Sequence, residues 1–273
     1  MAGGGLLALV DDGQCIIFEQ LADSLAPRTA LNLSACCRTL RTVSKAVCAD
    51  LLQKHGAVRR LCDRVNTSYT AVADAEELLW YGQGLDATHM TTLGSLCTNA
   101  LPHLRCLNLS INRFGADGMQ AMFQRLGPCS LPQLSSLDLT GNAFGSAGAI
   151  AFADALLRGA LPKLEIIKLG RNEIGDRGTV ALAPALQKLA ALKELYLYSN
   201  SIGDEGVRAL LENLGPERLA DLRKLQLERN RISEASCATL VEALRVSSSC
   251  TCCPGYPPEL RCGESPCVRR VVL

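Results

Sequence analysis

The sequence predicts an α/β solenoid: a curved stack of right-handed strand–turn–helix units with a parallel sheet on its concave face, preceded by a small helical domain. Three observations predict it. The segment Leu104-Arg-Cys-Leu107-Asn-Leu109-Ser-Ile-Asn112-Arg-Phe114-Gly115 returns from Leu134, Leu164, Leu192 and Leu222, a period of about 30 residues that signals a repeat architecture. An asparagine recurs in register at Asn112, Asn142, Asn172, Asn200 and Asn230, followed two residues later by Phe114, Phe144, Ile174, Ile202 and Ile232. Within each unit the apolar spacing switches from two residues to a helical period.

The strand comes first. Leu107 and Leu109, Leu137 and Leu139, Ile167 and Leu169, Leu195 and Leu197, and Leu225 and Leu227 alternate with more polar neighbours, as a strand buried on one face requires. The Asn stands where the strand ends. Its amide is expected to satisfy turn carbonyls and amides hidden from water, in its own repeat and the next, because a buried unpaired backbone group costs about 1 to 3 kcal/mol. Gly115, Gly145, Gly175 and Gly203 then allow a tight reversal, and Ser146, Asp176 and Asp204 are expected to be N-caps. A helix closes each unit, with Ala121, Met122 and Leu126 matched by Ala151, Phe152 and Leu156 and by Ala181, Leu182 and Leu186. Strands stack about 4.8 Å apart and helices roughly 8 to 10 Å apart, so the array must bend with its strands inside.

This pattern resembles the leucine-rich repeat of the ribonuclease-inhibitor type, whose units read L-x-x-L-x-L-x-x-N-x-[IF]-G-x-x-G followed by a helix. A further, degenerate unit fits from Ala75, with Leu78, Trp80 and Leu85 at the offsets of Leu107, Leu109 and Phe114; Gln83 replaces the Asn and Asp86 the Gly. The expected organisation is a flexible N-terminus (1–13), a helical domain (14–74), about six repeats (75–245) and a disordered Cys/Pro/Ser-rich tail (246–273). An array without a polar capping repeat after Leu244 is expected to leave its end to the tail or to a partner, or else to be a shortened version of a longer solenoid.

Residues 14 to about 55 show helical stripes, Ile17, Leu21 and Leu25, then Leu33, Cys37, Leu40 and Val47, broken at Pro27. One reading is a helical cap for the solenoid. The other starts from Ile17-Phe18-Glu-Gln-Leu21 and Leu33-Ser34-Ala-Cys-Cys37-Arg38-Thr-Leu40-Arg41, which resemble an F-box. The resemblance implies docking on a Skp-type adaptor of cullin-based ubiquitin ligases through Ile17, Leu21, Pro27, Leu31 and Leu33, with the repeats selecting substrate. From Asp50 onward, Val58, Leu61, Cys62 and Val65 predict one more helix before the repeats.

No enzyme motif stands out. His55, His89 and His103 are scattered, and no nucleophile elbow, phosphate loop or H-E-x-x-H is present. The tail cysteines Cys250, Cys252, Cys253, Cys262 and Cys267 lack paired C-x2-C knuckles, so no metal and no cofactor is expected. Lys+Arg 28 against Asp+Glu 27 gives no global attraction to nucleic acid or anionic membrane. Met1 to Val10 carries no basic start and its apolar run ends at Asp11, a poor signal peptide, so a cytoplasmic or nuclear protein with reduced cysteines is expected.

Function should then reside in the residues between the buried leucines, which face the concave sheet. They include Cys106, Asn108, Ser110, Ser136, Asp138, Thr140, Ile166, Lys168, Glu194, Tyr196, Tyr198, Lys224, Gln226 and Glu228, bordered by Arg171, Arg229 and Arg231. Tyr196 and Tyr198 have the composition of an interface anchor. The expected role is a non-enzymatic scaffold that binds a protein partner, with substrate reception for a ubiquitin ligase as its specific form. The alternative is activation of a small GTPase, since Ran GTPase-activating proteins use the same repeat type.

Overall fold

The computed structural model describes residues 53–246 and 270–272. The F-box-like residues Ile17, Leu21, Pro27, Leu31 and Leu33 and the tail cysteines lie outside them. The chain divides into two units, Met1–Ala71 and Val72–Leu273. In the first, a helix over residues 53–64 (α1) buries Val58, Leu61 and Cys62, the stripe that the sequence predicts. A short helix, α2 (Tyr69–Ala73), follows.

The second unit holds the array. Strands β1 (Glu77–Leu79), β2 (Cys106–Asn108), β3 (Ser136–Asp138), β4 (Ile166–Lys168), β5 (Glu194–Tyr196) and β6 (Lys224–Gln226) pair in chain order, all parallel. Helices α3 (Ala87–Asn99), α4 (Gly115–Phe123), α5 (Gly145–Leu157), α6 (Gly175–Gln187), α7 (Asp204–Asp221) and α8 (Glu234–Val246) each follow a strand. The register places Leu78, Leu107, Leu137, Ile167, Leu195 and Leu225 opposite one another, and all are buried between sheet and helices. Phe123 and Phe152 meet edge to face at 4.9 Å between ring centres, tying α4 to α5.

The asparagines form a continuous hydrogen-bonded ladder. Asn172 Oδ1 accepts from the backbone N–H of Asn142 at 2.7 Å, and its Nδ2 donates to the carbonyls of Leu139, Leu169 and Gly170. Asn142 repeats this toward Asn112, Asn200 toward Asn172, and Asn230 toward Asn200. Each amide therefore bridges its own unit and the preceding one, opposite to the direction expected. The reason is geometric: a side chain at the strand's end meets the loop of the unit before it, whose amides point forward. In the first repeat Gln83 is exposed and bonds only the Tyr81 carbonyl, while Asn112 serves Trp80 and Leu85.

The turns around the ladder are left-handed. Ile111, Arg113, Arg171, Glu173, Ser199, Ser201 and Arg229 all have φ between 54° and 62° although none is glycine. A left-handed residue with a Cβ costs about 1 to 2 kcal/mol, and amide bonds such as Arg113 N–H to Asn142 Oδ1 at 2.9 Å hold the turn against that cost. Gly82 and Gly84 occupy the matching positions of the first repeat, at φ 63° and 64°.

The helix caps differ from expectation. Neither Asp176 nor Asp204 caps its own helix. Asp176 Oδ1 accepts from the N–H groups of Gly203 and Gly206 at 2.7 and 2.9 Å, capping α7 of the next unit, and Asp204 accepts from Ser233 at the start of α8. Ser146 makes no cap on α5. Stacking puts each side chain beside the following helix start, where the N–H groups are unsatisfied. Hydrogen bonds from Ser233 and Ser236 hold the Asp204 carboxyl below its usual range. Asp86, which replaces the turn glycine, caps α3 locally with His89 in a capping box. Bonds from the Thr88 hydroxyl, then from His89, lower its pKa to about 2.

The tail is not wholly irregular. Arg270–Val272 forms β7, parallel to β6, with Val271 opposite Leu225. Apolar Val271 continues the row of strand leucines, a pattern that the Cys, Pro and Ser content of the tail hides in the sequence.

Asn172→Ala should lower unfolding free energy by about 3 kcal/mol, the upper end for one unsatisfied group, since it orphans several buried partners. Asp176→Ala should cost about 1 kcal/mol, the usual loss for a cap. Urea denaturation followed by circular dichroism checks both, and equal small effects would contradict the ladder.

Candidate protein-binding face

The sheet face away from the helices carries the strand residues that flank each buried leucine. Register aligns them in rows: Glu77, Cys106, Ser136, Ile166, Glu194 and Lys224 in one, and Leu79, Asn108, Asp138, Lys168, Tyr196 and Gln226 in the next. The structure thus brings Asp138, Lys168, Glu194, Tyr196 and Gln226 onto one surface. Tyr198 and Glu228 follow one alternation later, after the buried Leu197 and Leu227. Arg171 and Arg229 sit at the rim on left-handed turns with φ 57°, both exposed.

The polar groups there are organised around Tyr196. Its hydroxyl donates to Glu194 Oε2 at 2.6 Å, and its ring has Lys224 Nζ at 4.7 Å and Lys168 Nζ at 5.7 Å from the centroid. Lys168 Nζ also lies 3.6 Å from Asp138 Oδ2. Ammonium groups at these distances are drawn to the ring's negative face. Burial, then the hydrogen bond to Glu194 and the negative charges of Glu194 and Asp138, raise the Tyr196 pKa well above the ordinary tyrosine value. The phenol stays neutral and donating throughout the physiological range.

Tyr198 is placed differently. Its ring lies over Gly170 so closely that a Cβ there would come within 2.4 Å of the ring carbon Cζ. Gly170 occupies the position of Ser110 and Thr140 in earlier units, so its lack of a side chain is what seats the ring. Both tyrosines are half-buried rather than projecting freely. Two polar members of the face are engaged by the turns: Asn108 Oδ1 accepts from the N–H and hydroxyl of Ser110, and Asp138 Oδ1 from the N–H of Thr140.

Sequence reasoning omitted Leu79 and Tyr81 from this face. They are 61% and 57% exposed on the first repeat, Leu79 in register with Asn108. The signal was available: they stand on either side of buried Trp80, at the alternation already assigned to later units.

Burial raises the Cys106 thiol, opposed by a bond to Ser136, and pushes Cys97 up to about 12, so neither is a ready thiolate. Among the described residues no cluster of His, Cys, Asp or Glu could hold a metal ion, and no helix is long and apolar enough to cross a membrane.

With this geometry in view, comparison with known proteins is direct. A family model described as leucine-rich repeat matches residues 100–123, 131–153, 160–183 and 190–211, four successive units of the array. A ribonuclease inhibitor from Sus scrofa is 44% identical over 62 residues, which cover 23% of this chain and 13% of that protein. The chain therefore spans only a small part of that relative. It carries leucine-rich repeats of the ribonuclease-inhibitor type, in a parallel strand-and-helix solenoid.

The raised Tyr196 pKa has a pH consequence. Its contribution to stability is complete below about 10, the unfolded tyrosine value, and is lost as pH rises through the higher folded value. Alkaline difference spectroscopy near 295 nm should show one tyrosine of the wild type ionising late, and Tyr196→Phe should remove that late step alone.

Proposed function

We propose that this protein is a non-catalytic scaffold whose concave sheet face binds a protein partner, in the cytoplasm or nucleus. The observation that carries the reading is the Tyr196 cluster. An aromatic ring fixed between two lysines, with its hydroxyl on a carboxylate, is a pre-ordered anchor in a charged surface. Rings held in advance lose little entropy on association, which is why tyrosines dominate binding energy at many interfaces. The repeat type and the likeness to a ribonuclease inhibitor support the scaffold reading. Buried free Cys62 and Cys97 suit a reducing compartment.

In its specific form, the scaffold is the substrate receptor of a cullin-type ubiquitin ligase, a reading supported by the F-box-like run from Ile17 to Arg41. Affinity capture of the full chain from cells, with mass spectrometry, should recover a defined protein together with a Skp-type adaptor. Tyr196→Ala with Tyr198→Ala should weaken the first by at least about tenfold and leave the second. Leu21→Asp with Leu33→Asp should do the reverse. Capture unaffected by the tyrosine changes would overturn the concave-face reading. Recovery of Ran, with stimulated GTP hydrolysis, would replace the ligase role with GTPase activation.

A further inference from the structure

Glu228 stands apart from the other carboxylates at the centre of the concave face. Asp138 is held by Lys168 and Thr140, and Glu194 by the Tyr196 hydroxyl. Glu228 Oε2 is buried, yet no group among the described residues donates to it. The cations closest to it along the chain do not serve it: Lys224 Nζ lies over the Tyr196 ring, and Arg229 is exposed at the rim. A folded chain leaves few such atoms unpaired, because burying a polar atom without a partner opposes folding.

The row that holds Glu228 runs Ser110, Thr140, Gly170, Tyr198, Glu228, with neighbouring strands about 4.8 Å apart. Tyr198 and Glu228 are therefore adjacent. A Cβ on Gly170 would meet Cζ, Cε1 and Cε2 of Tyr198 at 2.4, 2.5 and 2.7 Å, distances so even that they belong to an approach on the ring's face rather than its edge. One face of the ring thus lies on Gly170, and the ring leans back from β6 toward the earlier unit. Its other face and the Glu228 carboxylate border the same opening on the sheet side.

Deepening the concave-face reading above and resting on it, we infer that Tyr198 and Glu228 form a slot for an arginine side chain of the protein partner. A guanidinium is flat, so it stacks on the open ring face while two of its N–H groups, side by side, meet the two carboxylate oxygens. The carboxylate turns toward it readily: the terminal torsion of a glutamate is broad, and Oε2 gives up no hydrogen bond by moving. A lysine brings a compact charge that lacks the flat fork, and an acidic side chain meets a like charge. Gly170 seats the ring, so the slot draws on three successive units.

Nuclear magnetic resonance of the isotope-labelled full chain, titrated at fixed ionic strength with N-acetyl-arginine methylamide, tests the inference. The Tyr198 ring and Glu228 amide signals should shift together and saturate, with a Kd of about 10 mM. The lysine analogue, and the uncharged citrulline analogue of the same shape, should each bind at least about fivefold more weakly. Glu228→Gln should weaken arginine binding by at least about fivefold, whereas Glu173→Gln, which alters an exposed carboxylate on another turn, leaves it within about twofold. Since Glu228 Oε2 receives no bond in the fold, Glu228→Gln should keep or raise the thermal midpoint. A lowered midpoint marks a structural carboxylate and overturns the inference, as do no saturable shift, equal binding of the three probes, or full arginine binding by the folded Glu228→Gln variant. If the probe fails while Tyr196→Ala with Tyr198→Ala still loses the captured partner, the slot falls and the concave-face reading stands. If that double variant also keeps its partner, both fall.

Discussion

The structure depends on how the loops between strands and helices find hydrogen bonds away from water. Each unit is too short to close a core alone, and stacking hides polar backbone that a surface loop would leave to solvent. One asparagine per unit resolves the conflict, because a carboxamide both donates and accepts. Asn142 accepts from Asn112 and Arg113 and donates to Leu109 and Leu139, so a single side chain serves two units. The left-handed turns, the position of the helix starts and the strict strand register all follow from that fixed point.

The fold was largely legible because burial on one face imposes a period of two, and a shared loop imposes one asparagine per period. Those constraints leave marks in sequence at Leu107, Leu109 and Asn112 and at their counterparts. The caps were not legible in the same way. Reading Asp176 as a cap assumes a bond to an amide within a turn, whereas its partners Gly203 and Gly206 are 27 and 30 residues away. The turn at Arg171 was equally hidden, since nothing local in that residue favours a positive φ; its N–H donates to the Tyr198 carbonyl of the next unit.

The binding face was partly legible. Alternation placed Asp138, Lys168, Glu194 and Tyr196 on one surface, and register alone aligns them. It did not reveal that Lys168 and Lys224 flank the Tyr196 ring, or that Tyr198 settles on Gly170, because those contacts join residues of neighbouring units at right angles to the chain. Leu79 and Tyr81 escaped notice because Leu78 to Tyr81 is a continuous apolar run, whose exposed members only the register of the later units separates from its buried ones. The strand at Arg270–Val272 was obscured for a related reason: three residues are too few to stand out from the composition around them.

The ladder's amides all reach backward, and this gives the array a direction in time as well as in space. The Asn112 backbone N–H has no acceptor until Asn142 exists, and that of Asn142 none until Asn172. The α7 helix start waits on nothing later, since its cap at Asp176 is already made when Gly203 appears. During synthesis a newly emerged unit therefore inherits its helix cap from its predecessor, but leaves its loop incomplete until its successor leaves the ribosome. Such a chain is finished one unit behind the point of synthesis, and an interruption between units strands only the last loop.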